Sequence, residues 1–490
     1  PIFKDRYGVD TGDLGYVWIA GPLSGFIVQP VVGVLSDRSG QRRAFFLSGA
    51  LVMAAAMLLL PNCGTVLTWL GTSSADVALA LAVATLWVLD LAMNAGLVAV
   101  RAIIADAAPA DQQAQANEAM VVAYGIGTLF GYILGSLDIS GDLGMAAEVD
   151  NVVLLFAAAA AVLAATGAVA YRQARRLECT TVADGADAAP STIGSGGSNG
   201  NISAITAVVP STAPAAAARA PHGDVPVSSP PARPESGAAE SLMVEMLGDI
   251  NGCDAGGGNG SSNGGGGNGG GGDGHRDKMR ELWKMAAFWR VPRWLAPVCV
   301  LLVFSWVAWF AVTIFGSDWV GTDVFGGDAD ASEGSFEYEE YEDGVEWASI
   351  GLAMQAAVVM GMGFGPVAYI WREFGLRGSF LLALATQGCI LLTAVCIGGG
   401  TLGKAGTLLA FTLLGVPLAL IETIPYLLVG MCSGRRRNGE LLGKLNVYIV
   451  LGEVILTAAV APLTKLTADN DVAVIAGGGV SALLGLVVVP

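Results

Sequence analysis

The sequence predicts an all-α integral membrane protein built from two helical halves. Three observations predict it. Only 14% of the 490 residues are charged and 53% are hydrophobic, whereas a soluble globular domain carries about 25% charged residues. Long apolar stretches recur along the chain, each near the roughly 20 residues that cross a bilayer as a helix. One segment, 173–285, interrupts the series and is rich in Gly, Ala, Ser and Pro.

In order, the apolar spans fall at 14–35, 44–60, 77–104, 119–137 and 151–172, then at 294–316, 347–370, 378–398, 405–432, 440–464 and 471–489. Many contain Gly, Pro and Ala, which membrane helices tolerate for close packing. The first five make one half, 1–172, and the last six the other, 286–490. An even bundle with both termini on one side needs one more helix before Pro1. The expectation is therefore a twelve-helix protein with eleven helices in this chain. Between Asn251 and Gly274, 14 of 24 residues are glycine. Such a segment buries too little apolar surface to offset its ordering entropy, so 173–285 is expected to be a disordered linker.

Charge placement sets the expected orientation. One set of alternating loops, with Arg101 and the linker, carries 21 of the 25 Lys and Arg, leaving Lys4, Arg6, Lys404 and Lys465 opposite. The positive-inside rule makes the basic side, and the linker, cytoplasmic. The loop 318–346 holds eleven Asp or Glu and no Lys or Arg, and is expected outside. The net charge of −17 argues against phosphate-mediated nucleic-acid binding. The seven cysteines form no Cys-x-x-Cys pair, and both histidines, His222 and His275, lie in the linker. No metal spacing, nucleophile elbow or phosphate loop is present, so neither an enzyme nor a cofactor is expected. Proton chemistry within the helices falls to carboxylates.

Asp90 lies near the middle of the span 77–104. A carboxylate at that depth costs about 2.5–3.5 kcal/mol on insertion scales and is a functional candidate by default. Burial and neighbouring charge compete over its protonation, so it can load and release a proton. The alternative is a structural carboxylate bonded to a neighbouring helix. Arg101 follows eleven residues later, nearly on the same face but about 16 Å along the axis. Its planar donor fork suits hydroxyls and carboxylates. It could equally be a positive anchor, or a partner for Asp106 or Asp37. Asn94 shares the face of Asp90 and, with Gln29 and Gln355, can donate to and accept from ligand hydroxyls or pack between helices. Trp306 and Trp309 are three apart, suited to stacking on the apolar face of a ligand or to a packed core. Glu422 and Glu453 are further intramembrane carboxylates that could line a cavity or pair with each other.

The stretch Gly33-Val-Leu-Ser-Asp37-Arg38-Ser-Gly40-Gln-Arg42-Arg43 falls between the first two spans. Glycine permits close helix approach, and Asp37 can pair with an arginine or a helix N-terminus. Such a lock can hold one of two conformations. This stretch resembles the G-x-x-x-D-R-x-G-x-R-R signature of the major facilitator superfamily. Further stretches resemble the sucrose transporter branch of the glycoside–pentoside–hexuronide:cation symporters. They are Gly21–Pro30, Trp87–Asn94 continuing to Arg101–Asp106, Gly125–Ser136, Ser305–Phe310 with Ser317–Gly321, and Gly415–Leu420 with Ile424-Pro425. The resemblance implies a major facilitator fold of two six-helix halves and proton-coupled transport of sucrose or a related disaccharide or glucoside. The implied partners are the sugar, protons and the bilayer, in the plasma membrane or a vacuolar or other endomembrane. It implies a proton-coupling role for Asp90 and a substrate-binding or coupling role for Arg101. Asp318 resembles the family's acidic residue after its seventh helix, but Thr322-Asp323 stands where the family has Arg-Glu. A non-transporting sugar sensor on the same scaffold is the alternative, suggested by the long linker.

Overall fold

The computed structural model describes residues 3, 7, 20–72, 74–135, 150–187, 290–332, 334–433, 437–466 and 471–488. Most of the linker, with its expected disorder, lies outside them. Among the described residues the structure is helical. The first half contains α1 (Ala20–Ser39), α2 (Arg42–Leu59), the short α3 (Cys63–Trp69), α4 (Ala75–Ala107), α5 (Gln113–Gly135) and α6 (Asn151–Asp187). The second contains α7 (Ala296–Trp319), α8 (Phe336–Gly363), α9 (Pro366–Thr393), α10 (Thr401–Ile421), α11 (Ile424–Cys432), α12 (Asn438–Leu466) and α13 (Asp471–Val488). Ten spans are long and apolar enough to cross a membrane, with α2–α3 and α10–α11 each forming one of them. The eleventh, α1, carries Pro30, Gln29 and several glycines and serines, which lower its hydropathy. The eleven expected spans thus correspond to eleven helical passes.

Local chemistry explains where helices begin and break. Gly40 sits at φ +65°, a left-handed conformation that favours glycine, and it turns the chain from α1 into α2. Ser335 caps α8 by accepting the amide of Tyr338 at 3.2 Å, with Glu337 and Glu339 in the first turn to complement the helix dipole. Helix α8 therefore starts eleven residues before the expected edge at 347, and the acidic stretch 318–346 is not one open loop. Asp318 lies in α7, 320–324 form a π turn, and 336–346 are the first turns of α8. The expected span 347–370 is likewise divided, because Gly365 at φ +144° and Pro366 at the first turn of α9 end one helix and start the next. Helix α6 runs to Asp187, so the linker boundary expected after 172 falls inside a helix.

Within the first half α2 packs on α4 and α6, and α1 on α4; within the second, α7 packs on α13 and α12, and α8 on α10. Two long seams join the halves, α1 against α12 and α5 against α8. Both depend on glycine. A Cβ on Gly33 would lie 2.2 Å from the carbonyl oxygen of Gly439, and one on Gly125 would lie 2.6 Å from the amide nitrogen of Met360. The apolar core includes fully buried Trp319, Phe380 and Leu302, with Trp319 edge-on to Phe411.

Candidate functional site

A cavity of about 220 Å³ opens between the halves, smaller than the roughly 300–1,000 Å³ of ligand pockets in general. Leu97 and Arg101 of α4 and Met120, Val121 and Tyr124 of α5 line one wall. Trp306 of α7, Glu422 and Tyr426 at the α10–α11 break, and Asn446 and Ile449 of α12 line the other. Arg101 Nη2 donates to Glu422 Oε2 at 2.7 Å, with the two side chains 12% and 8% exposed. The Arg101 guanidinium carbon also lies 3.6 Å from the centroid of the Tyr426 ring, a cation–π contact. Arg101 Nε and Trp306 Nε1 are buried without a hydrogen-bond partner.

The break that presents Glu422 has a local cause. Pro417 lies inside α10, and Pro425 occupies the first turn of α11. Proline removes an intrahelical donor and favours a helix start. Glu422 is the last-turn cap of α10, and its carboxylate projects between the halves instead of stacking along a continuous helix.

A second polar cluster lies where α1, α4 and α12 meet. Asp90 and Asn94 are buried on α4. Gln29 Nε2 donates to Asn94 Oδ1 at 2.7 Å, and Asn94 Nδ2 donates to Ser24 Oγ and to the Asp90 carbonyl, both at 2.9 Å. The Asp90 carboxylate faces α1, where a Cβ on Gly21 would lie 4.0 Å from Oδ2. Glu453 of α12 is within electrostatic range of it. A Cβ on Gly25 would sit 3.1 Å from Asn446 Nδ2 and 3.2 Å from Asn94 Oδ1, so the two amides converge on that glycine. Asn446 also lines the cavity. Asn94 thus lies across Gly25 from Asn446, which lines the cavity together with Arg101 and Glu422.

At the basic end of the bundle, Asp37 joins the halves. Its Oδ1 accepts from Arg42 Nη2 at 2.6 Å and from the amide of Gly439 at 3.0 Å, and its Oδ2 accepts from the amide of Glu440 at 2.7 Å. Asp37 thus caps the N-terminus of α12 from the opposite half, using the orphan amides and dipole of that helix. Arg42 also bridges to Asp106 and donates to Ser36 Oγ at 3.0 Å, while Asp106 accepts from Asn438 Nδ2 at 2.8 Å. Glu440 continues the network to Lys444 at 2.6 Å, and Lys444 donates to the Arg290 carbonyl at 3.0 Å.

Not every expected grouping occurs. Glu422 and Glu453 do not pair; Glu422 meets Arg101, and Glu453 lies toward Asp90. Arg101 bonds neither Asp106 nor Asp37. It stays a long way from Asp90 because α4 is one continuous helix from Ala75 to Ala107. Trp306 lines the cavity, but Trp309 is buried in the core and Gln355 is buried on α8 outside the cavity lining. Arg38 is exposed, and Arg43 lies 5.8 Å from the Tyr171 ring. Asp318, lacking the family's arginine, accepts from Tyr341 of α8 at 2.8 Å. Sequence reasoning missed Tyr124, Tyr426 and Asn446. Asn446 had a signal, a lone amide in an apolar span like Asn94.

Comparison with known proteins fits this geometry. The chain is 26% identical to Sucrose transport protein SUT4 of Oryza sativa subsp. indica, over 99% of this chain and 83% of the relative. It is 22% identical to Sucrose transport protein SUC4 of Arabidopsis thaliana, over 99% and 84%. Among solved structures it is similar in fold to the proton:xylose symporter XylE bound to 6-bromo-6-deoxy-D-glucose, with a TM-score of 0.56 at 12% identity, covering 99% of this chain and 88% of that one. The transporter FucP in its outward conformation gives a TM-score of 0.52 at 10% identity, covering 99% and 91%. The Major Facilitator Superfamily model matches residues 1–457; the chain belongs to that superfamily and is a multi-pass membrane transporter, not an enzyme.

Proposed function

We propose that this chain is a proton-coupled symporter for sucrose or a related disaccharide or glucoside, working by alternating access. The observation that carries the reading is that one continuous helix, α4, holds both the buried carboxylate Asp90 and the cavity-lining Arg101. A transporter that couples two solutes needs the site for one to sense the occupancy of the other, and a shared rigid helix supplies the connection. The named relatives support the sugar class.

In this reading the basic end of the bundle is cytoplasmic, and the linker joins the halves on that side. Asp90 carries the proton, with Asn94 and Gln29 fixing the helix faces around it. Arg101 binds sugar oxygens and Trp306 stacks on the ring. The Asp37–Arg42–Asp106 network holds the cytoplasmic end closed, so sugar and proton enter from the other side. Ligands move the equilibrium only by binding the two states unequally, and a swing from 1:99 to 99:1 requires about 5.5 kcal/mol of differential binding. Protonation of Asp90 supplies part of it, because the neutral acid no longer resists the rearrangement of the seam.

Asp90→Asn tests the reading. In reconstituted vesicles the variant is expected to lose accumulation of labelled sucrose under a pH gradient, by about tenfold or more, while keeping sugar exchange. Accumulation like that of the wild type would overturn the assignment.

A further inference from the structure

The cavity lining is charge-balanced by one residue. Among its lining side chains one cation and one carboxylate are present, Arg101 and Glu422. They come from opposite halves and bond at 2.7 Å with little exposure. The rest of the lining is apolar, aromatic or amide. Arg101 Nε and Trp306 Nε1 belong to lining residues but are themselves buried without a partner, so a ligand reaches them only if the wall moves. The site offers no net charge.

We infer that Glu422 is a specificity-determining residue that keeps the site selective for neutral polyhydroxy ligands and excludes their sugar-acid counterparts. The inference rests on the sugar-transport reading. Arg101 alone would attract a carboxylate through its planar fork, in the bidentate geometry that makes such pairs strong. Glu422 occupies that fork, and Tyr426 covers the guanidinium face at 3.6 Å. A uronate entering the intact cavity meets a second carboxylate and leaves one charge uncompensated in a desolvated space. A neutral glycoside meets neither penalty.

The test uses the full-length chain and competition against bound labelled sucrose. The competitors are methyl glucoside, its uronic-acid counterpart methyl glucuronide, and its 2-amino counterpart. In the wild type, methyl glucoside is expected to compete about tenfold or more better than either charged analogue. Glu422→Gln is expected to move the glucoside-to-glucuronide ratio about tenfold toward the anion. Arg101→Gln, which leaves the carboxylate unbalanced, is expected to move preference toward the amino sugar, and it decides the matter if Glu422→Gln does not fold. Ratios unchanged within about twofold in the variants that fold would overturn the role of Glu422. If methyl glucoside and sucrose fail to bind the wild type, the sugar-transport reading itself falls, and the inference with it.

Discussion

Asp37 joins four groups with two oxygens: its own arginine, two amides of the opposite half and, through Arg42, Asp106. A hydrogen bond to a charged group contributes about 1.5–3 kcal/mol. Asp37→Asn keeps the shape and removes the charge, so it weakens the network without leaving a cavity. Opening of the basic end is expected to rise about tenfold or more. Spin labels replacing Arg38 and Arg437, exposed residues on opposite sides of the seam, measure it in a background free of native cysteines. An unchanged distance distribution would remove Asp37 from the latch. This residue was legible in the sequence because its motif is local: Gly33, Asp37, Gly40 and Arg42 lie within ten residues, and the turn at Gly40 brings the ends of α1 and α2 together. The Arg101–Glu422 pair was not legible. Its members are separated by 321 positions, and no local rule sets which of several buried carboxylates the arginine meets.

The helices explain how the halves come close enough for such contacts. At the α1–α12 seam Gly33 meets the backbone of Gly439, and at the α5–α8 seam Gly125 meets that of Met360. Gly127, two residues on, has open space around its Cβ position. Gly125→Ala is therefore expected to cost about 1–3 kcal/mol of closed seam and to lower sucrose uptake several-fold. Gly127→Ala, which gains helix propensity and meets nothing, should leave uptake near that of the wild type. Equal loss in both variants would show that helix propensity, not close approach, governs the seam. Most helices were legible from hydropathy alone. Their ends were not, where capping chemistry overrode it: the start of α8 follows Ser335 and an acidic first turn, neither of which is apolar. The Gly365-Pro366 break lies inside an apolar run, where hydropathy reads straight through a dipeptide that ends one helix and starts the next.

At the scale of the whole molecule, charge is segregated along the bundle. Acids crowd the start of α8, and basic residues gather where Asp37 caps α12. The Arg290 carbonyl, where the chain enters the second half, is held by Lys444 beside that cap. The path into α7 is thereby fixed by the described residues themselves. Deleting 190–275 is expected to leave labelled sucrose uptake within about twofold of the wild type, because a stretch so rich in Gly, Ala, Ser and Pro has little apolar surface to offer a bundle. Loss of uptake in a correctly inserted deletion protein would assign the segment to the transport cycle.

The two seams differ in what must be undone to part them. The α1–α12 seam is held by charges and capped amides, and the α5–α8 seam by side chains and backbone that meet chiefly through apolar surface. In a bilayer an apolar helix face gains little by leaving lipid, because the acyl chains are as apolar as the side chains. The α5–α8 seam therefore rests on close packing, whereas the α1–α12 seam adds charge-assisted hydrogen bonds to it. The two sides of the bundle are thus set by different quantities, helix spacing on one and charge on the other.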